Sequence, residues 1–122
     1  MNDPGVPIQV LIDSIESHGS EGALYSLETA SLDYRPGEFL ATFLIMADKY
    51  NNGFACKTVY YKLMEMYHAP IINDSENGIY NLDSLNNSAR EMAVKYLIKA
   101  DSLGDSEAKS HLAEYRKVGL IK

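Results

Sequence analysis

Between Ala93 and Gly119, small, aromatic and glycine residues recur at spacings that suit two closely packed helices. Ala93, Tyr96 and Ala100 fall at i, i+3 and i+7 on one helical stripe, and Ala108, Leu112, Tyr115 and Gly119 at i, i+4, i+7 and i+11 on the next. Gly104 stands between the stripes, where a helix ends in a left-handed residue. Small residues facing aromatic ones let antiparallel helices approach closely. The pattern predicts a helical hairpin rather than a catalytic pocket.

The same period runs upstream. Ile8, Leu11, Ile12 and Ile15 follow i, i+3, i+4 and i+7, predicting a helix from about Pro7 to His18 that stops at Gly19. A second helix is expected from Ser20 or Glu21 to about Leu32, with Ala23, Leu24, Leu27 and Ala30 inward. Tyr34-Arg35-Pro36-Gly37 reads as a turn. A third helix, Glu38 to Asn51, is apolar around most of its circumference and is expected to be the most buried element. Tyr50-Asn51-Asn52-Gly53 closes it, and a fourth runs from Ala55 to His68.

Residues 69–87 interrupt the helices with Pro70, Gly78 and the polar cluster Asn73-Asp74-Ser75-Glu76-Asn77. Ile71, Ile72, Ile79, Tyr80, Leu82 and Leu85 argue that this long loop packs down as an ordered excursion. Ser88-Ala89-Arg90-Glu91 reads as a capping box opening helix five, and helix six runs from Ser106 to about Val118. The expectation is an all-α single domain over 1–122, with about six helices in antiparallel pairs and one inserted loop.

At this point the chain resembles a known family. Ala93-Val94-Lys95-Tyr96-Leu97-Ile98-Lys99-Ala100, then Leu103-Gly104-Asp105-Ser106-Glu107-Ala108, Leu112 and Gly119, is similar to SEL-like repeats, a branch of the tetratricopeptide superfamily. Ala113 replaces that family's glycine after the leucine, and Tyr115 comes one residue early. Gly19 and Gly53 lie 34 residues apart, the period of tetratricopeptide units. The resemblance implies a degenerate helical stack acting as a protein-binding module or adaptor, not an enzyme.

Charge is divided unevenly along the chain. Residues 1–48 hold Asp3, Asp13, Glu16, Glu21, Glu28, Asp33, Glu38 and Asp48 against Arg35 alone, a net of −7, while the rest of the chain is +1. Such a field repels nucleic acid and attracts a basic protein. No basic region followed by an apolar core opens the chain, and no apolar run reaches membrane-spanning length, so the expectation is a cytoplasmic protein without membrane contact.

Nucleophilic and metal chemistry find no suitable spacing. Cys56, the single cysteine, allows no intramolecular disulfide and reads as a small buried filler. Were it on one helix with His68, twelve positions would set them roughly 18 Å apart. His18, His68 and His111 lack metal-ligand spacing, and the glycines form no phosphate-binding loop. The acid pairs Asp13/Glu16 and Asp101/Asp105 read as solvated faces, and Tyr60, Tyr61 and Tyr67 mostly as core. No catalytic, metal or cofactor residue is assigned.

A small acidic binder of this kind resembles bacterial immunity proteins, which block a cognate toxin. The leading expectation is therefore a bacterial protein that neutralises a basic toxin through Asp13, Glu16, Glu21, Glu28, Asp33 and Glu38, with Tyr80 marking the loop as the other candidate interface. The alternatives are an adaptor or chaperone-like regulator in signalling or secretion and, more distantly, a small hydrolase.

Overall fold

Six helices follow one another in the computed structural model, which describes residues 6–72 and 79–121: α1 (Ile8–His18), α2 (Glu21–Ala30), α3 (Leu40–Lys49), α4 (Gly53–Met66), α5 (Asn87–Ser102) and α6 (Ser106–Lys117). Two short 3-10 turns, Ser31–Asp33 and Leu82–Ser84, complete the regular structure, and no β-strand occurs among the described residues. The fold is all-α, as the periodicity predicts.

Local chemistry sets the helix ends. Ser20, Asn52, Asn86 and Asp105 each accept, through a side-chain oxygen, the backbone N–H three residues on, satisfying a donor that has no intrahelical partner. Helix α5 thus opens on Asn86, not on the predicted Ser88–Glu91 capping box; Ser88 is already inside the helix and Glu91 is exposed. Gly19, at φ 63°, and Gly104, at φ 93°, take the left-handed conformation expected of them. Gly53 does not. Asn51 supplies the left-handed residue after α3, at φ 48°, and Gly53 is the first residue of α4, so the two glycines 34 apart play different parts.

The most buried element is α4, not α3. It packs between α3 and α5 and buries Ala55, Cys56, Thr58, Val59, Tyr60, Lys62, Leu63 and Met64. Helix α3 buries Thr42, Phe43, Met46 and Ala47 but leaves Leu40, Leu44 and Ile45 partly exposed. Its neighbours are chiefly α1 and α4, and Leu40 and Leu44 pack only against the edge of the core. Ala93, Ala100 and Ala108 are fully buried, as close helix approach requires.

The loop folds back on itself. Ile72 N donates to the Ile79 carbonyl at 2.7 Å and Asn81 N to that of Pro70 at 2.8 Å. Ile79, Leu82 and Leu85 join the core, while Ile71 stays exposed. The polar cluster Asn73–Asn77 and Gly78 lie outside the described residues.

Candidate functional site

Phe54, Lys57, Thr58, Tyr61, Lys62 and Glu65 fall at i, i+3, i+4, i+7, i+8 and i+11, one stripe of α4. Glu28 of α2 and Glu107 of α6 face this stripe, and together the residues line a groove of about 250 Å³. The Tyr25 ring meets the Phe54 ring edge-on at 4.7 Å, extending the aromatic wall onto α2.

The α6 side of the groove is a continuous polar network. Lys57 Nζ sits 3.1 Å from Asp105 Oδ2 and 3.2 Å from Glu107 Oε2. Tyr61 OH donates to Glu107 Oε1 and also lies 3.2 Å from His111 Nε2. His111 Nδ1 is 2.9 Å from the Glu107 backbone carbonyl, which can only accept, so Nδ1 carries the proton. Burial pushes the His111 pKa down, favouring the neutral ring. Burial opposes ionisation of Glu107, but its bonds to Tyr61 and Lys57 outweigh that and hold its pKa below the usual range. For Lys57 too, desolvation opposes the charge while Asp105 and Glu107 raise the pKa overall.

A second, drier layer lies beneath. Tyr115 OH donates to the Tyr80 carbonyl at 2.6 Å and stands 2.5 Å from Tyr60 OH. The single Tyr115 proton is used on the carbonyl, so Tyr60 is the donor of that pair. Burial raises the Tyr115 pKa to about 12 and those of Tyr60 and Tyr61 far above the ordinary phenol value. These tyrosines stay protonated and act as hydrogen-bond donors.

The predicted contact residues come from several elements. Asp13, Glu21, Asp33 and Glu38 are exposed, on α1, α2, the first 3-10 turn and the turn before α3. Glu16 is half-buried; its carboxylate accepts from Thr42 Oγ1 at 3.2 Å in a different groove, shared with Leu44, Ile45, Asp48 and Lys49. Glu28 lines the α4 groove, and Tyr80 packs its ring at 6.1 Å from that of Tyr61, so these two are brought to one neighbourhood. Among the described residues Asp13, Glu16, Glu21, Glu28 and Glu38 form no ion pair, whereas Asp48 pairs with Lys99 at 3.6 Å.

Several residues take places in the structure that differ from their reading in the sequence. Asp105, read as solvated, has a side chain only 15% exposed because it caps α6 and holds Lys57. Tyr67, read as core, is exposed and accepts from Asn86 Nδ2 at 2.9 Å. Lys57, Lys62, Glu107 and His111 were not assigned at all. Lys57 and Lys62 among the apolar residues of α4, and the i, i+4 pair Glu107/His111, are the available signals.

The molecule belongs, by its structure, to the all-α class, with an aromatic and charged groove across α2, α4 and α6. No family model, curated protein or solved structure matches the chain. No helix among the described residues is long and apolar enough to cross a membrane. No group of three or more histidine, cysteine, aspartate or glutamate side chains among them could hold a metal ion.

Proposed function

We propose that this chain is a non-enzymatic protein-binding module, a degenerate SEL-like helical stack that neutralises a basic bacterial toxin in the cytoplasm by direct binding. The observation that carries the reading is the set of uncompensated acids in the N-terminal half. Residues 1–48 are net −7, and Asp13, Glu21 and Glu38 are exposed and without ion pairs among the described residues. Surface acids in a folded protein are commonly interspersed with bases, and packing does not require their separation. Spread over several elements, they act as a field that speeds encounter with a positive surface rather than as a fitted patch.

Affinity capture from the source organism tests the proposal, using the wild-type chain and the triple variant Asp13→Lys, Glu21→Lys, Glu38→Lys. The wild type is expected to retain a basic protein whose toxicity it suppresses on coexpression, and the variant to lose it. Equal retention by both chains, or a partner that is acidic, would overturn the proposal.

A further inference from the structure

Helix α2 buries Leu24, Leu27 and Ala30 and turns another face outward. Glu21, Tyr25 and Glu28 fall at i, i+4 and i+7 along that outer face. Tyr25 is 49% exposed, and its edge-on contact with the Phe54 ring at 4.7 Å holds it in one place. The carboxylates beside it lack a cation. Glu21 and Glu28 form no ion pair among the described residues, and the two bases lining the neighbouring groove are engaged, Lys57 with Asp105 and Glu107, Lys62 with Glu65. Gly22 adds an independent mark. It lies in the first turn of α2, three residues before Tyr25, and a side chain built there would meet nothing within 4 Å. Its backbone is ordinary helix, so neither a turn nor crowding within the chain calls for glycine, which weakens a helix. A bare spot beside an exposed ring lets another backbone come close.

We infer that this face of α2 holds the basic partner, with an arginine of that partner stacked on Tyr25 between Glu21 and Glu28 and its backbone passing over Gly22. Charge selects the occupant. A purely apolar segment would strip water from two carboxylates without replacing it, and an anionic one would be repelled. The ring selects arginine over lysine, because a planar guanidinium offers its face to an aromatic side chain and its N–H edges to carboxylates at once. The acids of the N-terminal half as a whole act at long range, whereas contact requires one fitted place. The inference rests on the reading of a basic protein partner and gives that partner a docking surface.

Its test is a ¹H–¹⁵N NMR titration of the full chain with the blocked tripeptide N-acetyl-Gly-Arg-Gly amide. The control peptide carries citrulline, which keeps the shape of arginine without its charge. The arginine peptide is expected to give saturable shifts at Gly22, Tyr25 and Glu28, and the citrulline peptide to bind at least about tenfold more weakly. Replacing both acids, Glu21→Gln with Glu28→Gln, is expected to abolish that preference. Gly22→Gln fills the open space with a better helix former, so it is expected to raise Tm while weakening the arginine peptide at least about tenfold. Equal binding of the two peptides, no saturable shift with either, a preference that survives the double glutamine variant, or wild-type binding by Gly22→Gln would overturn the inference. So would a Gly22→Gln variant that melts lower than wild type, the mark of a glycine the fold itself requires. The toxin reading fails separately. A captured basic protein held equally by wild type and Gly22→Gln would overturn this contact alone, and saturable arginine binding with no basic protein captured would overturn the toxin reading alone.

Discussion

Tyr115 shows how much can hang on one buried hydroxyl. It donates to the Tyr80 carbonyl and accepts from Tyr60, tying α6 to both the loop and α4. Tyr115→Phe keeps the ring but leaves that carbonyl and the Tyr60 hydroxyl without partners. The expected loss is about 1–3 kcal/mol in urea unfolding, and an unchanged midpoint would contradict the bonding described. His111 gives the complementary prediction in pH. Its folded-state pKa lies below the ordinary 6.5, so on acidification the unfolded chain takes up a proton before the folded chain does. Stability is therefore expected to fall as pH drops through about 6.5 towards the lower folded-state value, with His111→Gln flattening the slope. Glu107 acts in a separate, more acid window. Its folded pKa is depressed below 4.5, so its contribution is present above that value and lost as pH falls through the lower one. A thermal midpoint with the same slope between pH 7 and 5 in wild type and His111→Gln would contradict the role given to His111.

At the scale of helices, most of what the sequence implies is visible in the structure, and the departures have common causes. The periods of α1, α2, α5 and α6 were legible because one stripe of each faces a single core. The apolar breadth of α3 records what could be buried, not how many neighbours arrive. The loop delivers Ile79 and Leu82 to the core, while α4 is covered by both α3 and α5. That coverage is a tertiary fact invisible in the helix itself. The start of α5 was misplaced because two Asn residues precede Ser88 and the first of them, Asn86, already caps the Ala89 amide. Asp105 tests this level most cleanly, since one oxygen caps α6 at 2.9 Å from Ala108 N and the other holds Lys57 at 3.1 Å. Asp105→Ala is expected to cost about 1–2 kcal/mol by chemical denaturation. Asp105→Asn, which can still cap, should recover part of that. Identical losses for the two substitutions would mean that the cap contributes nothing. At the α5 seam, Ala100 is fully buried, and Ala100→Leu is expected to cost about 1–3 kcal/mol through overpacking. A wild-type midpoint for that variant would place Ala100 outside the seam.

For the molecule as a whole, charge was the part of the candidate function most legible in sequence, because net charge needs no fold to be counted. Its placement was not legible. Glu16 turns into the α1/α3 groove to meet Thr42, and Glu28 into the groove beside Lys62, so neither belongs with the freely exposed acids. The groove itself escaped notice because its members come from three helices and become neighbours only when α2, α4 and α6 assemble. The exposed subset, Asp13, Glu21 and Glu38, is consequently the set to reverse. Replacing all three by lysine moves the charge of residues 1–48 from −7 to −1. Such exposed changes are expected to leave stability within about 0.5 kcal/mol each. The decisive measurement is the stopped-flow association rate of wild type and triple variant with the captured basic partner, at 0.1 and 1 M salt. Across that range the Debye length shrinks from about 10 Å to about 3 Å. Electrostatic steering predicts a wild-type rate at least about tenfold slower at the higher salt, and a variant that is already slow at the lower salt and nearly insensitive to the change. Rates indifferent to both salt and charge reversal would contradict it, and would leave the acidic half with no part in binding.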